Sequence, residues 1–154
     1  MCRTYQLGIS RNVDVIGTPR FSEEIPDAPR CDASGESRCF TIPVAAGAAH
    51  IYTECARIWN PIHTDRAIAL AAGLPDIILH GTATLALAIS RLVDEYLGAD
   101  PTRVRRLGGR FTAMVLMPST LTLDVHGHEN GTLFFNVRTR EGADAFSQGF
   151  LCYA

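Results

Sequence analysis

Lysine is absent from the 154-residue chain; all 14 of its lysine-or-arginine residues are arginine. Schiff-base chemistry on a side-chain amine is therefore excluded. A dominant charge of one sign is also lacking. The formal net charge is −2, which argues against a nucleic-acid binder working through overall positive charge. The five cysteines, Cys2, Cys31, Cys39, Cys55 and Cys152, are odd in number and form no CxxC pair. No apolar run follows Met1-Cys2-Arg3, as a secretory signal would require. Free thiols in a reducing, cytoplasmic setting are the expectation. The most apolar stretch, Ile68–Ser90, is interrupted by Pro75, Asp76 and His80, and the flanking pieces are too short to cross a bilayer. A Gly-rich phosphate loop, a dinucleotide fingerprint, internal repeats and low-complexity segments are missing as well. No metal, cofactor, nucleic acid or membrane is expected as a partner.

What is present is apolar residues, at 47%, in a chain long enough to bury one core. Tyr5–Val15 alternates loosely and reads as a strand. Gly17–Glu36 carries Pro19, Pro26 and Pro29 and reads as a linker or arm on the surface. Residues 1–37 thus form an N-terminal strand and arm, and 38–154 the main domain. A strand ahead of such a linker is either an addition to another sheet edge or the end of a preceding domain.

Cys39–Val44 reads as a short strand and Ala45–Trp59 as a helix. On that helix His50, Glu54 and Ile58 fall at i, i+4 and i+8, on one face. Pro61 disfavours helix at Asn60. Thr64 is placed to cap a second helix over Asp65–Ala72, with Gly73 and Pro75 closing it. Ile77–His80 is brief and apolar. A helix then opens at Gly81 or Thr82 and runs to about Leu97. It is apolar around most of its circumference, the mark of a buried central helix. Four strand-like runs follow, over Arg103–Val115, Thr120–His126, Leu133–Thr139 and Ala145–Tyr153. Short turns between them favour antiparallel pairing. The pattern is α+β: a sheet wrapped around a buried helix.

The chemistry-bearing residues are Asn60-Pro61-Ile62-His63-Thr64-Asp65 and His80-Gly81. An imidazole facing a backbone N–H at a helix N-terminus can move a proton and polarise a carbonyl. Together these segments resemble the MaoC-like hydratase/dehydratase family, the (R)-specific enoyl-CoA hydratases. Its motif reads Ser-Gly-Asp-x-Asn-Pro-Ile/Leu-His, followed one short helix later by His-Gly. The resemblance implies the hot-dog fold, a curved antiparallel sheet wrapped around a long central helix, and a homodimer. It implies hydration of an enoyl thioester, or dehydration of a 3-hydroxyacyl thioester, on coenzyme A or an acyl carrier. Carried over, His63 is the acid–base group, Asn60 orients water or hydroxyl, and the Gly81 N–H is the oxyanion donor. The family's catalytic aspartate falls at Ile58. Glu54, one turn earlier on the predicted helix, is the candidate substitute carboxylate. Tyr52, Ile58, Trp59 and His80 are candidate pocket residues, with packing an equal explanation for Tyr52 and Trp59.

Several residues carry two readings. His63 is either catalytic or a structural histidine bonding backbone. His80 reads as structural in its side chain, and Asp65 as a first-turn stabiliser. Cys55 reads as a small buried thiol. His126 and His128 suit a hairpin tip better than a metal. Arg103, Arg105, Arg106 and Arg110 suit a phosphate or solvated strand ends equally. Two further functions stay open: a non-catalytic hot-dog subunit or binding module, suggested by Ile58, and an acyl thioesterase.

Overall fold

The computed structural model describes residues 3–8, 13–18, 20, 24–31 and 37–154. Five strands form one antiparallel sheet: β1 (Arg38–Val44), β2 (Val104–Phe111), β3 (Ser119–Glu129), β4 (Thr132–Arg138) and β5 (Asp144–Tyr153). Their order is β1-β3-β4-β5-β2, so β1 and β2 are the edges. Three helices lie between β1 and β2: α1 (Ala48–Ala56), α2 (Arg66–Ala71) and α3 (Gly81–Tyr96). This is the hot-dog arrangement. The sheet encloses α3 because alternate strand residues are apolar. Leu121, Leu123 and Val125 of β3, Leu133, Phe135 and Val137 of β4, and Phe146 and Leu151 of β5 are buried. They form one core with Ala83, Ala88, Leu92 and Val93 of α3. Helix α3 is thus held by contacts on several faces, as its apolar circumference predicts.

Three local expectations are corrected. Helix α1 spans only Ala48–Ala56, because Arg57 adopts the left-handed conformation at φ 55° and ends it. Ile58 therefore lies beyond the helix and does not continue the His50–Glu54 face. Helix α2 is capped by Asp65, not Thr64: the carboxylate accepts from the N–H groups of Ala67 and Ile68. Cys55 is exposed on α1 rather than buried, and the four described cysteines are not in disulfides.

The described parts of Tyr5–Val15 are exposed and carry no strand; residues 9–12 fall outside the described residues. A loose alternation without a pairing partner does not make a strand. The arm segment 24–31 lies without helix or strand, and Arg106 Nη2 donates to the carbonyls of Pro26 and Asp27 at 3.0 and 2.7 Å. No described helix is long and apolar enough to cross a membrane.

Candidate functional site

The site begins with a proline. Pro61 holds Asn60 extended, at φ −133° and ψ 116°, and occupies the first position of a single 3₁₀ turn, Pro61–His63. The Asn60 side-chain oxygen accepts from the Ile62 N–H at 3.3 Å and caps that turn. The carboxamide N–H₂ keeps its donors. The turn ends at His63.

A second segment meets it. The Leu79 N–H donates to the Val115 carbonyl at 2.8 Å, and Ile78 bridges Leu116. This ties the lead-in of α3 to the β2–β3 connection and presents the Ile78 carbonyl to His63. His63 Nδ1 lies 2.8 Å from that carbonyl oxygen. A carbonyl only accepts, so Nδ1 carries the proton and Nε2 of the neutral ring is the free base. The structural and catalytic readings of His63 are therefore compatible, since one nitrogen anchors and the other is open.

His80 immediately precedes α3 and is 2% exposed. Its ring stacks on His63 with centroids 3.7 Å apart and planes at 23°. Tyr52 packs against His80 with ring centroids 5.0 Å apart and planes tilted at 51°. The Thr53 hydroxyl and His80 Nε2 share a 3.3 Å hydrogen bond, while Nδ1 is buried with no partner among the described residues. Burial, then the neighbouring His63, hold the His80 pKa below its ordinary value, and the Ile58 backbone acts weakly in the opposite sense. Two cations cannot stack at this distance without large cost.

This arrangement makes stability depend on pH. The unfolded chain binds a proton at His80 more readily than the folded protein does, so protonation favours unfolding. The His80 contribution is fully present above the unfolded imidazole value of ~6.5 and is lost as pH falls below it toward the depressed folded value. Thermal melts should show a stability slope in this acid range that flattens in His80→Gln. An unchanged slope would assign it to another group.

Gly81 is the first residue of α3. The N–H groups of a first helical turn have no acceptor within the helix, and they sit at its positive end. The Phe111 ring, at the end of β2, occupies the space beside Gly81; a Cβ there would lie 2.8 Å from Cδ1. The site thus brings together half-buried His63 and Tyr52 with buried His80 and Thr53, and Gly81 is next in the chain.

The other candidates put no side-chain hydrogen bond on His63 or His80 among the described residues. Glu54 is exposed and makes no hydrogen bond or ion pair with the described residues. His50, on its face of α1, is engaged with the Thr64 carbonyl at 3.1 Å. Ile58 and Trp59 are 41% and 65% exposed. His128 is bonded to the Tyr153 hydroxyl at 2.6 Å. No group of three potential metal ligands occurs among the described residues. Of the arginine cluster, Arg103, Arg105 and Arg106 donate to backbone carbonyls. Thr53 and Phe111 escaped the sequence reading. Thr53 carried one usable signal: with Ala49 it forms the buried i, i+4 stripe of α1, and it is the hydroxyl-bearing member.

A family model described as MaoC like domain matches residues 33–145. The chain belongs to the MaoC-like family. Within that family, an enoyl-CoA hydratase of Mycobacterium tuberculosis is 37% identical over 84 residues, covering 54% of this chain and 29% of the relative. The chain spans under a third of the length of the first curated relatives it matches. Two solved structures share the fold. The full-length peroxisomal multifunctional enzyme type 2 of Drosophila melanogaster superposes with a TM-score of 0.77 at 21% identity, covering 88% of this chain and 25% of that one. The (R)-hydratase from A. caviae involved in PHA biosynthesis superposes at 0.64 and 22% identity, covering 77% and 93%.

Proposed function

We propose that this MaoC-like domain hydrates a trans-2-enoyl thioester, or runs the reverse dehydration, with His63 as a single proton shuttle. The observation carrying this reading is the anchored Nδ1 of His63, which leaves Nε2 as a base, close in the fold to the start of α3. The thioester oxygen accepts from the Gly81 N–H. Water, oriented by the Asn60 carboxamide, adds its oxygen to C3 while His63 Nε2 takes its proton. The C2–C3 π electrons move toward the thioester, and charge develops on the oxygen held by Gly81. C2 then recovers a proton from the imidazolium, so one water is added and no other reactant is consumed.

Ile58 contributes no carboxylate, and Glu54 is exposed and unengaged, so this scheme does not use either. The shuttle on one residue replaces the family's shared pair. Coenzyme A or an acyl carrier remains the expected thioester partner.

The test is crotonyl-CoA hydration followed at the enoyl absorbance, with free thiol recorded in parallel. Loss of enoyl absorbance without thiol release, undiminished in Glu54→Gln, supports the scheme. Thiol release would favour the thioesterase. A second reading, the non-catalytic subunit, is favoured by Ile58 and would be upheld by no turnover from the folded protein over several acyl lengths.

A second copy of the chain also belongs to the reading. Strand β2 is an edge of the described sheet, and Leu107 and Phe111 on it are exposed. Edge strands with exposed apolar residues invite pairing. Light scattering should give twice the 16.7 kDa chain mass; a monomer at working concentration would refute the dimer.

A further inference from the structure

The sheet face turned away from α3 encloses a feature the hydration scheme leaves unused. A cavity of about 730 Å³ lies between arm residues 27–31 and the strands. Strand alternation explains its floor. Leu133, Phe135 and Leu151 face the core, so Phe134 and Phe150 face the other way and line the cavity. Phe134 and Phe150 are themselves nearly buried, at 5% and 6% exposure.

The roof is held at both ends. Arg106 grips the carbonyls of Pro26 and Asp27. Four residues on, the Cys31 sulfur sits over Gly127, where any side chain would collide with it. Gly127 therefore makes room for the arm.

The polar lining is unbalanced. Arg30 and Arg110 both border the cavity, and neither has a hydrogen bond or ion pair among the described residues. Asp27 is the acidic residue in the lining, so two cations face one anion. His126 lines the wall as well, and its Nδ1 is buried without a partner among the described residues. An unsatisfied buried polar atom is costly, and a bound ligand or water would relieve that cost. The volume falls within the range of small-molecule sites, roughly 300–1,000 Å³.

We propose that this cavity is a second ligand site, for a carboxylate with a short apolar body. The carboxylate pairs with Arg30 and Arg110, as guanidinium groups favour. The apolar body lies on Phe134 and Phe150. Because the sheet separates it from His63, the site stands independently of the hydratase reading.

The test uses anilinonaphthalene sulfonate, an anionic aromatic probe that brightens in apolar cavities. The full chain should bind it saturably, with displacement by octanoate and not by octylamine. The double variant Arg30→Gln/Arg110→Gln changes exposed side chains that have no hydrogen bond or ion pair among the described residues, and circular dichroism verifies its fold. It should weaken probe and octanoate binding at least about tenfold, the scale of one lost charge-assisted bond. His63→Ala should bind as wild type. Undiminished binding by the double variant, equal competition by octylamine, loss of binding in His63→Ala, or no saturable binding would each overturn the proposal.

Discussion

Replacing His63 with alanine is expected to lower crotonyl-CoA hydration by on the order of 100- to 10,000-fold, the usual contribution of a positioned acid–base group. The loss should fall in kcat, because Nε2 acts on the water and on C2 and not on the bound carbonyl. The substitution also deprives the Ile78 carbonyl of its donor and His80 of its stacking partner. That costs about 1–3 kcal/mol of stability, so the assay needs a temperature at which the variant stays folded. His63→Gln separates the two effects. Its carboxamide N–H₂ offers a donor for Ile78 and no base of comparable strength. A stable but inactive His63→Gln protein is the expected result. An active one would remove His63 from the chemistry and leave it a structural role.

The second large effect concerns a backbone atom. Gly81→Pro deletes the N–H proposed to hold the thioester oxygen while keeping a residue compatible with a helix start. Proline is favoured at the first helical position, and His80 already has the extended conformation that a following proline demands, at φ −60° and ψ 137°. Gly81→Ala is the matched control, since it keeps the N–H and adds the same Cβ beside Phe111. That ring is exposed and can swing aside. Gly81→Pro should lose roughly 100- to 1,000-fold in kcat, the scale of one oxyanion donor, and Gly81→Ala much less. Equal losses in both would mean that Phe111 displacement, not the N–H, explains the effect.

These residues differ in how visible they were along the chain. Asn60 and His63 are legible because Pro61 forces the backbone out of helix and into a short turn, a local effect written in the adjacent residues. Helix α3 is legible because a segment apolar on nearly every side has only a core to occupy. The end of α1 is not. Pro61 marks where helix must have stopped, but the chain leaves it earlier, at Arg57, by a left-handed turn that is uncommon for a residue other than glycine and that an arginine does not signal. The Asp65 cap was visible as a charge favourable near a helix start, and its cap bonds needed coordinates to be seen.

Partnerships made across the fold are harder still. Thr53 meets His80 across 27 residues of chain. The Ile78 carbonyl that fixes the His63 tautomer carries no side-chain signature at all. Phe111 reaches Gly81 only because β2 returns along the edge of the sheet. The sequence supplied the reactive groups, and tertiary packing supplied the neighbours that set their protonation and exposure.

The most direct test of the His63–Gly81 site is crotonyl-CoA hydration in D₂O, analysed by mass and NMR. The expected product is 3-hydroxybutyryl-CoA bearing one deuterium at C2, formed by the wild type and not by His63→Gln. Unreacted crotonyl-CoA with the folded wild type, or equal product from His63→Gln, would contradict it.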